Sequence, residues 1–164
     1  MAVGDIIGNF CDGALTATDD KSGSPNSATA ERMVGDLKVE GLIPGGRVVS
    51  AYQGQGALRG LRLGERAFPT ITFTAQLAEL MPDFSALVHG KTAGFVSVSA
   101  DIGDAIAVDL AWTATYGAST RAATFEDCVL TKWDVSEGDP NTLSMQFTCY
   151  GPVEIGGETI IATR

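Results

Sequence analysis

Strict alternation of apolar and polar side chains is the feature that most narrows what this chain can fold into. In Thr70-Ile71-Thr72-Phe73-Thr74-Ala75-Gln76-Leu77, the residues Ile71, Phe73, Ala75 and Leu77 fall on one side, and the threonines and Gln76 on the other. A period of two sorts residues onto the two faces of a β-strand, whereas a helix would scatter them. The same alternation runs from Ile106 through Val108, Leu110, Trp112, Ala114 and Tyr116, and again through Leu143, Met145, Phe147 and Cys149. Further strands are expected at about 3–11, 33–43 and 124–135, and where Val96 and Val98 alternate with Ser97 and Ser99.

Turn chemistry separates these runs. Glu137-Gly138-Asp139-Pro140-Asn141 reverses the chain, and Gly156-Gly157 between Val153-Glu154-Ile155 and Thr159-Ile160-Ile161 signals a short hairpin. Residues 17–31, rich in Ser, Asp, Gly and Asn, are expected to form a polar loop or arm. The one good helix candidate is about 83–89, where Leu80, Phe84, Leu87 and Val88 have helical spacing, Asp83 can cap the start and Gly90 the end. The sum is about eight to ten strands and one short flanking helix. It predicts a mainly β protein, a β-sandwich or barrel, as one domain over residues 1–164. Such a sheet has edge strands that invite pairing, and an oligomer is one way to use them.

The chemistry of enzymes is sparse. His89 is the single histidine, and no Gly-x-Ser-x-Gly elbow accompanies it. Cys11, Cys128 and Cys149 are an odd, scattered set, so neither a disulfide framework nor a zinc site is expected; a reducing cytoplasm and buried free thiols in strands fit better. Asp101-Ile102-Gly103-Asp104 lacks the calcium-loop pattern and reads as a solvated turn. Glu126 and Asp127 are adjacent, so in a regular strand they face opposite sides. Gly54-Gln55-Gly56-Ala57-Leu58-Arg59-Gly60 has one residue too many for the dinucleotide fingerprint, and no strand–helix alternation surrounds it. No signal peptide or membrane span is expected, no metal or cofactor, and no catalysis.

Charge is segregated along the chain. The net charge is −9, which argues against wholesale binding of nucleic acid. Yet residues 41–66 hold four arginines (Arg47, Arg59, Arg62 and Arg66) against Glu65 alone, together with seven glycines. Residues 101–139 are the mirror case, with eight acids against Arg121 and Lys132. Arginine's planar fork suits ion pairs between surfaces. The Gly/Arg-rich segment 41–66 is therefore expected to be an assembly arm whose Arg47, Arg59, Arg62 or Arg66 meets acidic surface on a neighbouring copy. Head-to-tail contacts of this kind make rings or filaments.

Two passages resemble a known family. Arg62-Leu63-Gly64-Glu65-Arg66-Ala67-Phe68-Pro69-Thr70-Ile71-Thr72-Phe73-Thr74 looks like the arm-to-strand passage of bacteriophage tail tube (major tail) proteins. Phe125-Glu126-Asp127-Cys128-Val129, then Val135-Ser136-Glu137-Gly138-Asp139-Pro140-Asn141-Thr142-Leu143-Ser144, and on to Cys149-Tyr150-Gly151, is similar to their C-terminal hairpin. The resemblance implies a structural virion protein, assembled in the host cytoplasm, whose hexameric rings stack into a tube conducting genomic DNA without binding it specifically. It implies copies of itself as partners, with tail terminator, tape-measure and distal tail proteins. A small capsid-decoration protein or a baseplate or tail adaptor is the alternative. An enzyme or a carbohydrate binder is disfavoured by the missing catalytic groups and the few tryptophans and tyrosines.

Overall fold

A computed structural model describes residues 13–30, 37–76, 82–99, 105–116, 119–138 and 141–161. The expected strand at 3–11, Cys11 and the turn at 101–104 lie outside the described residues.

The fold is mainly β. The strands, in chain order, are β1 (Ala14–Thr18), β2 (Ser27–Ala30), β3 (Lys38–Glu40), β4 (Arg47–Gly54), β5 (Ala57–Arg66), β6 (Thr70–Gln76), β7 (Ala107–Tyr116), β8 (Ser119–Ser136), β9 (Thr142–Cys149), β10 (Val153–Ile155) and β11 (Glu158–Ile161). Among the described residues one α-helix, α1 (Pro82–Val88), stands between β6 and β7. Nine strands form one antiparallel sheet in the order β2-β1-β7-β8-β9-β6-β3, with β10 paired to β8 and β11. Among the described residues, the other two, β4 and β5, pair only with each other.

The period-two residues become the core. Ile71, Phe73 and Ala75 of β6, Leu110, Trp112 and Ala114 of β7, and Leu143, Met145, Phe147 and Cys149 of β9 are all buried. A flat sheet with one seven-residue helix could not cover so many side chains. The sheet instead wraps round: α1 packs on β1 and β2 at one end of the strand order, and its Phe84 meets Phe73 of β6 near the other end edge-to-face, centroids 6.2 Å apart. Phe73 also stacks on Phe147, at 6.0 Å. Aromatic pairs of this kind contribute about 0.5–1.5 kcal/mol each beyond the area they bury.

Sheet curvature has a local cause in β8. Val108 faces Cys128, but Leu110 faces Phe125, so Asp109 of β7 stands opposite both Glu126 and Asp127. That is a β-bulge, and Asp127 within it adopts left-handed backbone, with φ of 53°. Strict alternation therefore breaks where the sequence predicts Glu126 and Asp127 on opposite faces. The 18-residue β8 is thereby split: its first part pairs with β10 and its last part with β9.

Two other expectations change. Residues 17–31 are not one loop: β1 runs to Thr18, β2 occupies Ser27–Ala30, and the intervening turn closes on Asp19. That buried carboxylate accepts hydrogen bonds from the Asn26 backbone N–H (2.6 Å), Asn26 Nδ2 (2.7 Å) and Val96 N–H (3.3 Å). Val96 to Ser99 is not a strand either. Its links to the start of β7 are Val98 N–H to the Ala107 carbonyl and a Ser97 hydroxyl that donates to the Ala105 carbonyl and accepts from Ala107 N–H.

Candidate assembly interface

The Gly/Arg-rich segment is a β-hairpin standing off the body. Gly54 pairs with Ala57 across a two-residue turn, Gln55-Gly56, whose φ values of 53° and 75° are both positive. A turn of that sign matches the right-handed twist of the flanking strands. The segment that superficially resembles a phosphate loop is thus hairpin turn and strand. At the base, Pro44–Gly46 forms a 3-10 turn, Ala67 N–H donates to the Gly46 carbonyl at 2.9 Å, and Gly46 lies against Ile161 of β11.

Register sorts the hairpin into two faces. Val49 stands opposite Leu63 and Ala51 opposite Leu61, so these four share a face. Leu58, opposite Gln53, joins it beyond a one-residue irregularity at which Arg59 is the extra residue. The other face carries Ser50 opposite Arg62 and Tyr52 opposite Gly60. The apolar face is uncovered: Leu61 is 67% exposed, Leu63 64%, Leu58 61% and Val49 52%. Burying one such side chain stabilises by about 1.5–3 kcal/mol. A two-stranded ribbon alone is marginal in water. An amphipathic ribbon with its apolar face bare is the shape of a contact surface.

All four candidate arginines lie on this hairpin. Arg47 and Arg66 face each other at its base, where like charges directly opposite repel. Arg59 folds back on the turn, Nε donating to the Gly54 carbonyl at 3.4 Å and a terminal nitrogen to Gln55 Oε1 at 3.3 Å. Arg62 donates to the Tyr52 hydroxyl at 3.4 Å. Among the described residues no carboxylate lies within ion-pair distance of any of the four; the ion pairs found are Lys38–Glu40 and Lys132–Asp134, both exposed. Charge drew attention to the arginines. The leucines between them were missed, although Leu61 and Leu63 keep the period-two signal inside the glycine-rich run.

The remaining candidate residues have local structural partners. His89 ends α1 with Nδ1 at 2.8 Å from the Ser85 carbonyl, and its ring meets Trp133 edge-on with centroids 5.0 Å apart. Cys128 and Cys149 are free, buried thiols facing one another. Asp109 accepts the Asp127 N–H at 3.1 Å. Its burial, together with the charges of Glu126, Asp127 and Asp20, outweighs that bond and pushes its carboxyl up to about 6. Among the described residues no group of three or more His, Cys, Asp or Glu side chains is placed to hold a metal ion, and no helix is long and apolar enough to cross a membrane.

No protein-family model and no curated protein matches this sequence. Solved structures match by shape. A chain of the anti-feeding prophage (AFP) baseplate, solved with six-fold symmetry, superposes with a TM-score of 0.52 at 10% identity, over 88% of this chain and 93% of that one. A chain of an extracellular contractile injection system, the PVC sheath–tube complex in its extended state, gives 0.52 at 11% identity, over 87% and 86%. At such identities the likeness is one of fold.

Proposed function

We propose that this protein is a structural subunit of a phage tail tube. Its hexameric rings stack head-to-tail into a conduit for genomic DNA, with tail terminator, tape-measure and distal tail proteins at the ends or within. The observation that carries this reading is the hairpin Arg47–Arg66, whose apolar face is exposed and whose arginines meet no carboxylate among the described residues. A neighbouring copy supplies both missing elements: apolar surface for Leu58, Leu61 and Leu63, and carboxylates for the arginines. The fold shared with chains of a baseplate and of a sheath–tube complex supports the same class. The net charge of −9 suits a conduit to which DNA must not adhere.

The baseplate match also favours a second reading, a baseplate or tail adaptor that stays a discrete small particle and does not polymerise. Negative-stain microscopy of the concentrated protein separates the two. Rings or tubes with a central channel are expected; a monodisperse small particle under all conditions supports the adaptor and overturns the tube.

A further inference from the structure

Cys128 of β8 and Cys149 of β9 are direct cross-strand neighbours. The surrounding hydrogen bonds define the kind of pair. One step along, Tyr150 N–H donates to the Asp127 carbonyl at 3.1 Å, while Cys149 N–H points away from β8, to the Pro69 carbonyl at 2.9 Å. The cysteines therefore occupy a site that exchanges no backbone hydrogen bonds between its two residues. At such sites the Cα atoms approach to about 4.5 Å, within the range of about 4.4–6.8 Å that a disulfide spans. Both residues are fully buried, and both thiols point to the Glu126 carbonyl, Cys149 Sγ at 3.1 Å and Cys128 Sγ at 3.8 Å. Burial as small core residues accounts for either cysteine singly. Register and a shared carbonyl acceptor make the two a pair.

We infer that Cys128 and Cys149 form a latent redox pair, which a peroxide-class oxidant converts into a cross-strand disulfide beside the β8 bulge. The chemistry balances within the pair and its oxidant. One sulfur attacks a peroxide oxygen; the S–O bond forms, the O–O bond breaks, and one water leaves with the thiol proton. The second sulfur attacks the resulting sulfenic sulfur; the S–S bond forms, the S–O bond breaks, and the second water leaves. Two thiols lose two electrons and one peroxide becomes two waters. Hydrogen peroxide is close to water in size, so it reaches buried sulfur through local opening, where glutathione would not fit. Burial first, and then the neighbouring Cys149 side chain, push the Cys128 thiol well above the ordinary range. Cys128 is thereby disfavoured as a thiolate, which slows its attack on an oxidant.

The test uses the folded full-length chain treated with hydrogen peroxide, then denatured in a thiol-alkylating reagent. Intact mass and peptide mapping should show a loss of about 2 Da, two fewer alkylated cysteines, and a linked peptide joining residues 128 and 149. The unfolding midpoint should rise by on the order of 5–10 °C, and reduction should reverse it. In Cys149→Ala, a sulfenic-acid trap should capture Cys128, because the resolving thiol is gone. The inference is overturned by full alkylation of both residues after treatment, by sulfinic or sulfonic adducts on separate cysteines, or by a bridge formed only with Cys11.

Discussion

Gly151 sits against Asp127 with no room for a side chain: a Cβ there would lie 2.8 Å from Asp127 Oδ2 and 2.7 Å from the Glu126 carbonyl oxygen. The contact locks the corner where β9 passes into β10, for Gly151 N–H also donates to that carbonyl at 3.1 Å and Glu126 N–H to the Pro152 carbonyl at 3.0 Å. Gly151→Ala forces backbone apart at the bulge and should destabilise by about 1–3 kcal/mol. Chemical denaturation measures it; an unchanged midpoint would contradict the packing described.

Asp109 makes stability depend on pH with a definite sign. Its carboxyl is raised from 3.8 to about 6, first by burial, against the opposing Asp127 N–H bond, and then by the charges of Glu126, Asp127 and Asp20. The folded state holds the proton more tightly than the unfolded state, so this group's contribution is complete below 3.8 and is lost as pH rises to about 6. Asp109→Asn keeps an oxygen acceptor for Asp127 N–H and removes the charge. Its melting temperature should exceed the parent's at neutral pH, and the gap should narrow in acid. Parallel curves for the two proteins across that window would refute the assignment.

Asp19 has the opposite sign. Burial tends to raise its pKa, but hydrogen bonds from the Asn26 side chain and from the Asn26, Val96 and Lys21 backbone lower it below 3.8 overall. The stability these bonds supply is present above 3.8 and is lost as pH falls through the lower folded value. Asp19→Ala leaves the Asn26 and Val96 donors unpaired and should cost about 1–3 kcal/mol. Hydrogen exchange at the Asn26 and Val96 amides should accelerate first, and slow exchange there in the variant would argue against the clamp.

The hairpin predictions separate folding from assembly. Leu61→Asp with Leu63→Asp changes only exposed positions, so the body's melting temperature should hold within about 0.5 kcal/mol equivalent. Sedimentation should show the variant fixed as a single subunit. Charge reversal at Arg59 and Arg62 should impair assembly in the same way. Tubes formed normally by both variants would remove the hairpin from the interface.

Much of this fold was legible because burial on one face leaves a period of two. The patterns at 70–77, 106–116 and 143–149 became β6, β7 and β9, the helix expected at 83–89 is found at Pro82–Val88, and Gly156-Gly157 is the turn between β10 and β11. β2 was hidden because it is an edge strand of Ser, Ala and Thr, whose composition resembles a loop. Val96 and Val98 show the converse, a strand-like pattern with too few ladder hydrogen bonds to make one. The β8 bulge and the Cys128–Cys149 pairing depend on register between distant segments, which a single sequence does not display. In the candidate interface, the arginines stand out by charge, while the exposure of Leu58, Leu61 and Leu63 is a property of the fold that a single sequence does not display.

The bare ribbon of β4 and β5 has a thermodynamic consequence. Its strands pair only with each other, so little but their own hydrogen bonds holds them in shape. Whatever surface covers Leu61 and Leu63 also completes the folding of the ribbon. In the proposed assembly, folding and association draw on one free energy, and the stability of this segment depends on how many neighbours are in solution.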